Sequence, residues 1–414
     1  MKQRYIAIAV YFILLAMALP VSARTVWISK TSGNNSNNGL SESEAKQTIQ
    51  AGLNIAQNGD LIVIKGNTAA NPTIYYENPS LNGPDNLWIL AHPRGSVVIT
   101  DMHQAAREGT QTWTSDGDNR WRMSLSSPPW IMGYTDTGGT DWFLAEYTCA
   151  DLNDHVANFT GSFGSAAIPE YGYCHDSGTL RVRLPSNANA NGKTIKIGTP
   201  GRYTGVVLNI SNSTNVILDG MVFEGAGDRC VVASTNSTGL KIRNVDFQYC
   251  REGARVGNNT TISWSRYTYP GYAAFHDALH DLGSGDANNR AGFNLVKNYA
   301  IEGGSNGTVS TIEGTLVRGY DNTTGLEVEY SIMDEVMDAL RFFGLDDAVV
   351  HNSIFSRAVD NLVEFESDSG AGCSNNTIMF SYFQTRGYDP WSGQSKNQNC
   401  IGTLHHNVMQ FLDD

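Results

Sequence analysis

Charge is scarce in this 414-residue chain, and basic charge scarcer still. Charged residues are 17 % of the total, with 28 Lys plus Arg against 41 Asp plus Glu and a formal net charge of −13. A strongly basic nucleic-acid binder is excluded by that balance. Hydrophobic residues reach 41 %, so intrinsic disorder is excluded as well. Beyond residue 23 no apolar run is long enough to span a bilayer. The sequence contains no P-loop, no dinucleotide glycine motif, no HExxH, no GxSxG and no EF-hand loop. Nucleotide, zinc-peptidase, serine-hydrolase and EF-hand readings therefore have no support. Strong helix formers are few. In their place stand 42 Gly, 37 Asn, 18 Tyr and 15 Phe, with Val, Ile and Thr in place of much of the Leu. Such a composition suits many short strands joined by turns.

Residues 1–23 read as a signal peptide. Lys2 and Arg4 precede an apolar run over residues 5–19, then come Pro20 and the small-residue site Val21-Ser22-Ala23. Cleavage there takes the net charge to −15 and predicts a secreted or periplasmic protein with no membrane contact after cleavage. Six cysteines suit that compartment and fall into three local pairs, Cys149 with Cys174, Cys230 with Cys250, and Cys373 with Cys400. Cys230 and Cys250 also suit plain burial as small apolar residues.

From residue 216 a repeat appears, led by positions 216, 240, 262, 295, 326, 348, 378 and 404, at spacings of 22 to 33 residues. Each unit alternates apolar and polar residues and is punctuated by Gly, Asn, Ser and Asp, as in Val216-Ile217-Leu218-Asp219-Gly220 and Leu240-Lys241-Ile242-Arg243-Asn244. Units this short leave no room for crossover helices. The fold class predicted is all-β, a right-handed parallel β-helix. Asn-rich turns then read as stacked side-chain ladders and left-handed corners, and turn chemistry accounts for N-x-S/T matches such as Asn236-Ser237-Thr238. Residues 107–193 break the period and carry Trp113, Trp121, Trp130, Trp142, Tyr147, Tyr171 and Tyr173, which predicts a β-rich insertion whose aromatics serve a core or stack on sugars. The division expected is a signal peptide over 1–23, first coils over 24–106, the insertion over 107–193 and main coils over 194–414, the last stopping at Asp414 without an evident cap.

The segments Thr25-Val26-Trp27-Ile28-Ser29, Asn38-Gly39, Thr48-Ile49-Gln50-Ala51-Gly52-Leu53, Gly59-Asp60-Leu61-Ile62-Val63-Ile64 and Tyr75-Tyr76-Glu77 resemble the opening of secreted β-helix proteins of the pectate-lyase-like superfamily. The resemblance implies an N-terminal capping helix over residues 44–57, a substrate groove along one sheet and polysaccharide substrates.

Aligning the repeats on Phe223, Phe247, Tyr267, Ile301, Met333 and Phe355 brings Asp228, Glu252, Asn306, Asp338 and Asp360 into one column, with Asp277 placed there by the likeness of Asp277-Ala278-Leu279-His280 to Asp338-Ala339-Leu340-Arg341. Three residues on stand Arg255, His280 and Arg341. Turn-stabilising carboxylates give a purely structural account of the acids. Gathered with the cations on neighbouring coils, they read instead as a site. Arg255, His280 and Arg341 are the expected catalytic groups, with Glu252, Asp277, Asp338, Asp360 and His276 as substrate-binding groups and Asp277 with Asp338 as holders of a Ca2+ ion.

The reaction that suits them is β-elimination on a uronate polymer, for which a cation neutralises the sugar carboxylate and His280 or Arg341 takes the C5 proton. A hydrolase reading rests on Asn322-Thr323-Thr324-Gly325-Leu326-Glu327 with Asp338 and Asp360, loosely similar to polygalacturonases. It departs from them in having Thr324 for an acid and no Gly-His-Gly or Arg-Ile-Lys motif. A third reading is a non-catalytic glycan-binding β-helix. His405-His406 is discounted as a metal pair because adjacent strand residues face opposite ways. The expected molecule is a monomer acting on a polysaccharide, with Ca2+ its only candidate cofactor.

Overall fold

A computed structural model describes residues 23–129, 132–138, 141–144, 149, 152, 171–198, 205–234, 236–250, 252–268, 273–277, 290–292, 295–297, 315–319, 323–334, 340–343, 345–358, 363–366, 373–385, 391–392 and 400–411. The signal-peptide reading thus falls outside the described residues. Among the described residues no helix is long and apolar enough to cross a membrane.

Short strands stack in parallel into three long sheets, the parallel β-helix that the repeat implies. Sheet A has 11 strands from Thr25–Ser29 to Cys400–His405, sheet B has 10 from Thr73–Tyr76 to Val408–Phe411, and sheet C has 9, with Ser80–Asn82 at one edge and Trp391–Ser392 at the other. Alternation sets the faces. In sheet A the central residues Ile62, Ile89, Leu218, Ile242 and Ile262 pair in succession and are buried, while their neighbours on each strand point away from that row. In sheet B the matching row is aromatic. Phe223 stacks on Phe247 at 5.7 Å and Phe247 on Tyr267 at 4.6 Å, and further along Phe355 stacks on Phe383 at 5.0 Å. Identical positions on successive coils thus supply the stacked geometry that aromatic rings favour.

Asparagine ladders form the corners. Asn212 donates to Asn82 at 2.9 Å, Asn236 to Asn212 at 3.1 Å and Asn215 to Asn86 at 3.1 Å. Asn86, Asn212 and Asn215 have φ of 57°, 50° and 54°, a region that asparagine tolerates.

The helix expected over residues 44–57 is shorter, Ile49–Leu53. Ala45 and Lys46 are extended instead, because Lys46 exchanges backbone hydrogen bonds with Trp27 and Ser29 of the first strand. Thr48 accepts from the Ala51 amide, and the Glu77 carboxylate accepts from the amides of Ile49 and Gln50. Ile49 and Leu53 join the core of the first coils.

The chain leaves the solenoid after Val97–Thr100 of sheet B and re-enters it at Val206–Ser211 of sheet C. Between them lie a four-stranded and a three-stranded antiparallel sheet around a separate core. Trp113, Tyr134 and Tyr173 are buried in that core, and Trp121 and Tyr171 pack against it, partly buried; Trp130 and Tyr147 are outside the described residues. The unit sits on the outer side of sheet B. Arg107 Nε donates to Glu224 at 2.7 Å, Lys196 lies 3.4 Å from the same carboxylate and 4.6 Å from the Tyr249 ring, and Gly133 is packed so closely on that ring that a Cβ would meet it at 2.4 Å.

Cys149 with Cys174 and Cys230 with Cys250 form disulfides. Cys373 and Cys400 occupy paired positions on adjacent strands of sheet A.

Candidate functional site

Sheet C carries one register row that holds two of the expected cations, Arg255 and Arg341. Its register pairs Asn209 with Val232, Val232 with Arg255, Arg255 with His276, His276 with Arg318, Arg318 with Arg341, and Arg341 with Glu364. Asn209, Val232 and Arg255 alternate with Leu208 and Ile210, Val231 and Ala233, and Ala254 and Val256, all of them core residues. The row therefore faces away from that core on these coils, with Arg255 itself covered at 7 % exposure. From Arg255 to Arg341 it carries four consecutive basic residue types at coil spacings of about 4.8 Å, so that it runs for roughly 14 Å.

That register corrects two parts of the sequence alignment. The partner of Arg255 is His276; His280, expected there, lies outside the described residues. The misplacement came from Asp277-Ala278-Leu279 matching Asp338-Ala339-Leu340, whereas the backbone pairs Phe275, through Val317, with Leu340, a shift of four residues. Asp277 pairs with Val256, in a row whose earlier members Leu81, Ile210, Ala233 and Val256 are core residues, and not with Glu252, whose partners are Arg229 and Ala273. Arg318 was missed because Ile301 was aligned with Tyr267 and Met333. The sheet B partner of both is Val296, five residues earlier, and the strand Thr315–Gly319 then supplies the sheet C member of that coil. Asp338 and Asp360 lie outside the described residues.

Glu252 has a different place from the one expected. It opens the strand Glu252–Val256, is 1 % exposed, accepts from Arg229 Nε at 2.8 Å and lies 3.7 Å from Arg255 Nη2. Arg229 in turn pairs with Asp228 at 2.5 Å. Two acids and two arginines thus form a buried network at the starting edge of sheet C, beside the point where the insertion rejoins the solenoid. An arginine in an ordered ion pair keeps its planar donor fork in one orientation, which is what recognition of a carboxylate requires. Glu252 therefore stands behind Arg255 as a positioning group and is too deeply buried for a sugar to reach.

A second cluster lies on the outer side of sheet A. Glu327, Glu329 and His351 each offer an atom within 4.8 Å of the others. His351 Nε2 is 3.1 Å from Glu327, and its Nδ1 is 2.8 Å from Asn352 Nδ2. An Nδ1 that accepts from the amide leaves the proton on Nε2, directed at Glu327, so the arrangement as it stands is a hydrogen-bond chain through a neutral imidazole.

Elsewhere, Asp101, where the chain leaves sheet B for the insertion, has its carboxyl pushed up to about 8 by burial, and burial lowers the pKa of nearby His103.

No family model matches the chain, and no curated protein does. Solved structures do. A polygalacturonase from Erwinia carotovora ssp. carotovora is 12 % identical with a TM-score of 0.45, covering 96 % of this chain and 98 % of that one. Pectate lyase Pel9A is 11 % identical at a TM-score of 0.44, covering 93 % and 80 %. An alginate lyase from Paenibacillus sp. str. FPU-7 is 10 % identical at 0.41, covering 87 % and 95 %. The parallel β-helix of this chain stands on its own strand register.

Proposed function

We propose that this protein is a secreted polysaccharide lyase that cleaves a uronate-containing polymer by β-elimination along the outer row of sheet C. The observation that carries the reading is the run Arg255, His276, Arg318 and Arg341 on four adjacent coils of an otherwise acidic chain. A polyanion laid along the coils meets a basic residue type at every coil. Uronate carboxylates are the groups such a strip selects.

In the elimination, a guanidinium of the strip neutralises the uronate carboxylate and so acidifies the C5 proton. The imidazole of His276 takes that proton, the C5–H electron pair becomes the C4–C5 double bond, and the C4–O bond breaks as the leaving sugar oxygen is protonated from solvent. Arg318 and Arg341 are the neutralising groups, and Arg255, 7 % exposed and held by Glu252, underlies the end of the strip. A Ca2+ ion is the alternative source of positive charge. Activity abolished by chelator and restored by Ca2+ assigns it that part; activity indifferent to chelator gives the part to arginine. His280 is the competing base and is tested by the same substitution. The two disulfides support a working place outside the reducing cytoplasm.

Purified protein is incubated with polygalacturonate, alginate and neutral polysaccharides, following ultraviolet absorbance of unsaturated uronates and reducing ends together. Both signals rising on a polyuronate support elimination. Reducing ends alone support hydrolysis, and neither signal across the panel supports glycan binding without catalysis.

A further inference from the structure

Glu327, Glu329 and His351 bring three metal-binding side chains together from two adjacent coils. The strands Glu327–Glu329 and Val349–His351 of sheet A pair in register, with Val328 on Val350 in the core and Glu329 beside His351 on the opposite face. Glu327 stands two residues back along its strand and so shares that face. The cluster is on sheet A and is therefore separate from the basic row of sheet C.

Its geometry matches one class of ion. A tetrahedral Zn2+ with donors at about 2.0–2.1 Å holds them about 3.3 Å from one another. His351 Nε2 is 3.1 Å from Glu327 Oε1 and 3.9 Å from Glu329 Oε2, on either side of that figure, and the three donor atoms all lie within 4.8 Å of one another. Shifts of about 1.5 Å or less bring them to the metal-bound spacing. One imidazole nitrogen with two carboxylates suits Zn2+, whereas Ca2+ takes about six to eight oxygens. The two carboxylates also balance the charge of a divalent ion.

The imidazole is held from two sides. Tyr330 meets it edge-on with centroids 6.0 Å apart, and Asn352 reaches its Nδ1 at 2.8 Å. An amide has the same shape either way round, so half a turn of Asn352 presents its oxygen to a proton on Nδ1 and frees the Nε2 lone pair. A metal-bound histidine uses just such an outer partner. Glu329 is buried while Glu327 and His351 are partly exposed, which leaves the Glu327 side as the way in.

Two other uses compete for these groups. Arg290 stands beside Glu327 in the register, which makes an ion pair the alternative role of that acid. His405 and His406 are the competing imidazoles. His406 has φ of 52°, so the chain turns there and both side chains are exposed instead of facing opposite ways, with ring centroids 6.3 Å apart. Among the described residues, however, no third His, Cys, Asp or Glu joins that pair.

We infer that Glu327, Glu329 and His351 form a Zn2+ site that clamps two neighbouring coils of sheet A, with solvent in the fourth position.

The test strips the purified protein with chelator, dialyses it and adds Zn2+ alone, following binding by titration calorimetry and stability by thermal unfolding. The unsubstituted protein is expected to take up Zn2+ at this site and to gain several degrees in Tm at saturation. His351→Gln should weaken binding by about 100-fold or more and abolish the gain. Glu327→Gln, on the exposed side, should do the same and serves where His351→Gln does not fold. A double variant, His405→Ala with His406→Ala, should keep both the binding and the gain, and Ca2+ in about tenfold excess should leave the Zn2+ in place. No Zn2+ binding by the unsubstituted protein overturns the inference. So do undiminished binding in His351→Gln and Glu327→Gln, loss of the site in the double variant, and displacement by Ca2+. Neither readout involves a polysaccharide, so the lyase reading and this site stand or fall separately.

Discussion

Arg255 and His276 occupy paired positions on adjacent coils of sheet C, and Glu252, 3.7 Å from the Arg255 guanidinium, fixes the first of them from behind. The two basic residue types are brought together by register across a turn of the solenoid, and one carboxylate buried at the start of the strand serves both Arg229 and Arg255. Replacement of Glu252 by Gln should therefore lower stability and function together. Removing one partner of a buried ion pair costs about 3–5 kcal/mol. A drop in Tm of many degrees in thermal unfolding is expected, with weaker binding of polyuronate at temperatures where the variant is still folded. An unchanged Tm would remove Glu252 from its positioning role.

The aromatic row of sheet B makes a prediction about the core. Phe247 lies between Phe223 and Tyr267, stacked on both, and is 2 % exposed. Phe247→Ala leaves a cavity at the middle of a stack, and about 3–5 kcal/mol of stability should be lost. Denaturant unfolding of the variant measures it, and a loss below about 1 kcal/mol would mean that neighbouring coils close the gap.

Corner ladders can be tested by conformation. Asn212 has φ of 50° and joins Asn82 and Asn236 through its amide. Asn212→Ala loses the two hydrogen bonds and the short polar side chain that lets asparagine tolerate the left-handed region, which together should cost about 2–3 kcal/mol. Asn212→Gly loses only the hydrogen bonds and should be the milder substitution. The reverse order in thermal unfolding would contradict the account.

Much of this architecture was legible before any coordinates. A period near 22 residues with alternating apolar positions gives the solenoid, and the Asn-rich joints give the ladders, because both are repeated along the chain and errors at one coil do not spread. The site was less legible. Val296 and Ile301 are equally plausible partners for Met333 in an alignment, and Asp277-Ala278-Leu279 is a better local match to Asp338-Ala339-Leu340 than the true partner of that coil. Where long turns interrupt the repeat, only backbone pairing counts residues correctly. Arg318 is hidden for that reason, and the burial of Glu252, expected to bind substrate, is not legible because its partner Arg229 sits at a strand start one coil earlier.

Stability should also carry the signature of Asp101. Its carboxyl is pushed from 3.8 up to about 8 by burial in the folded chain. Below the unfolded value both states hold the proton. As pH rises the unfolded chain ionises first, so the contribution of Asp101 to stability falls from about pH 4 to about pH 8 and is level above that. Thermal unfolding should give a lower Tm at about pH 8 than at about pH 5, and Asp101→Asn should remove most of the difference. A variant with the same slope as the unsubstituted protein would assign it to other groups.

The central claim is that the basic row of sheet C performs β-elimination on a polyuronate. Its most direct test is the ultraviolet absorbance of unsaturated product from polygalacturonate and alginate, measured for the unsubstituted protein and for His276→Ala, Arg318→Ala and His280→Ala. The account predicts product from the unsubstituted protein, a fall of about 10²–10⁴ in kcat for His276→Ala, a comparable loss in kcat/KM for Arg318→Ala, and little change for His280→Ala. No unsaturated product from either polyuronate, or full activity in both His276→Ala and Arg318→Ala, would contradict it.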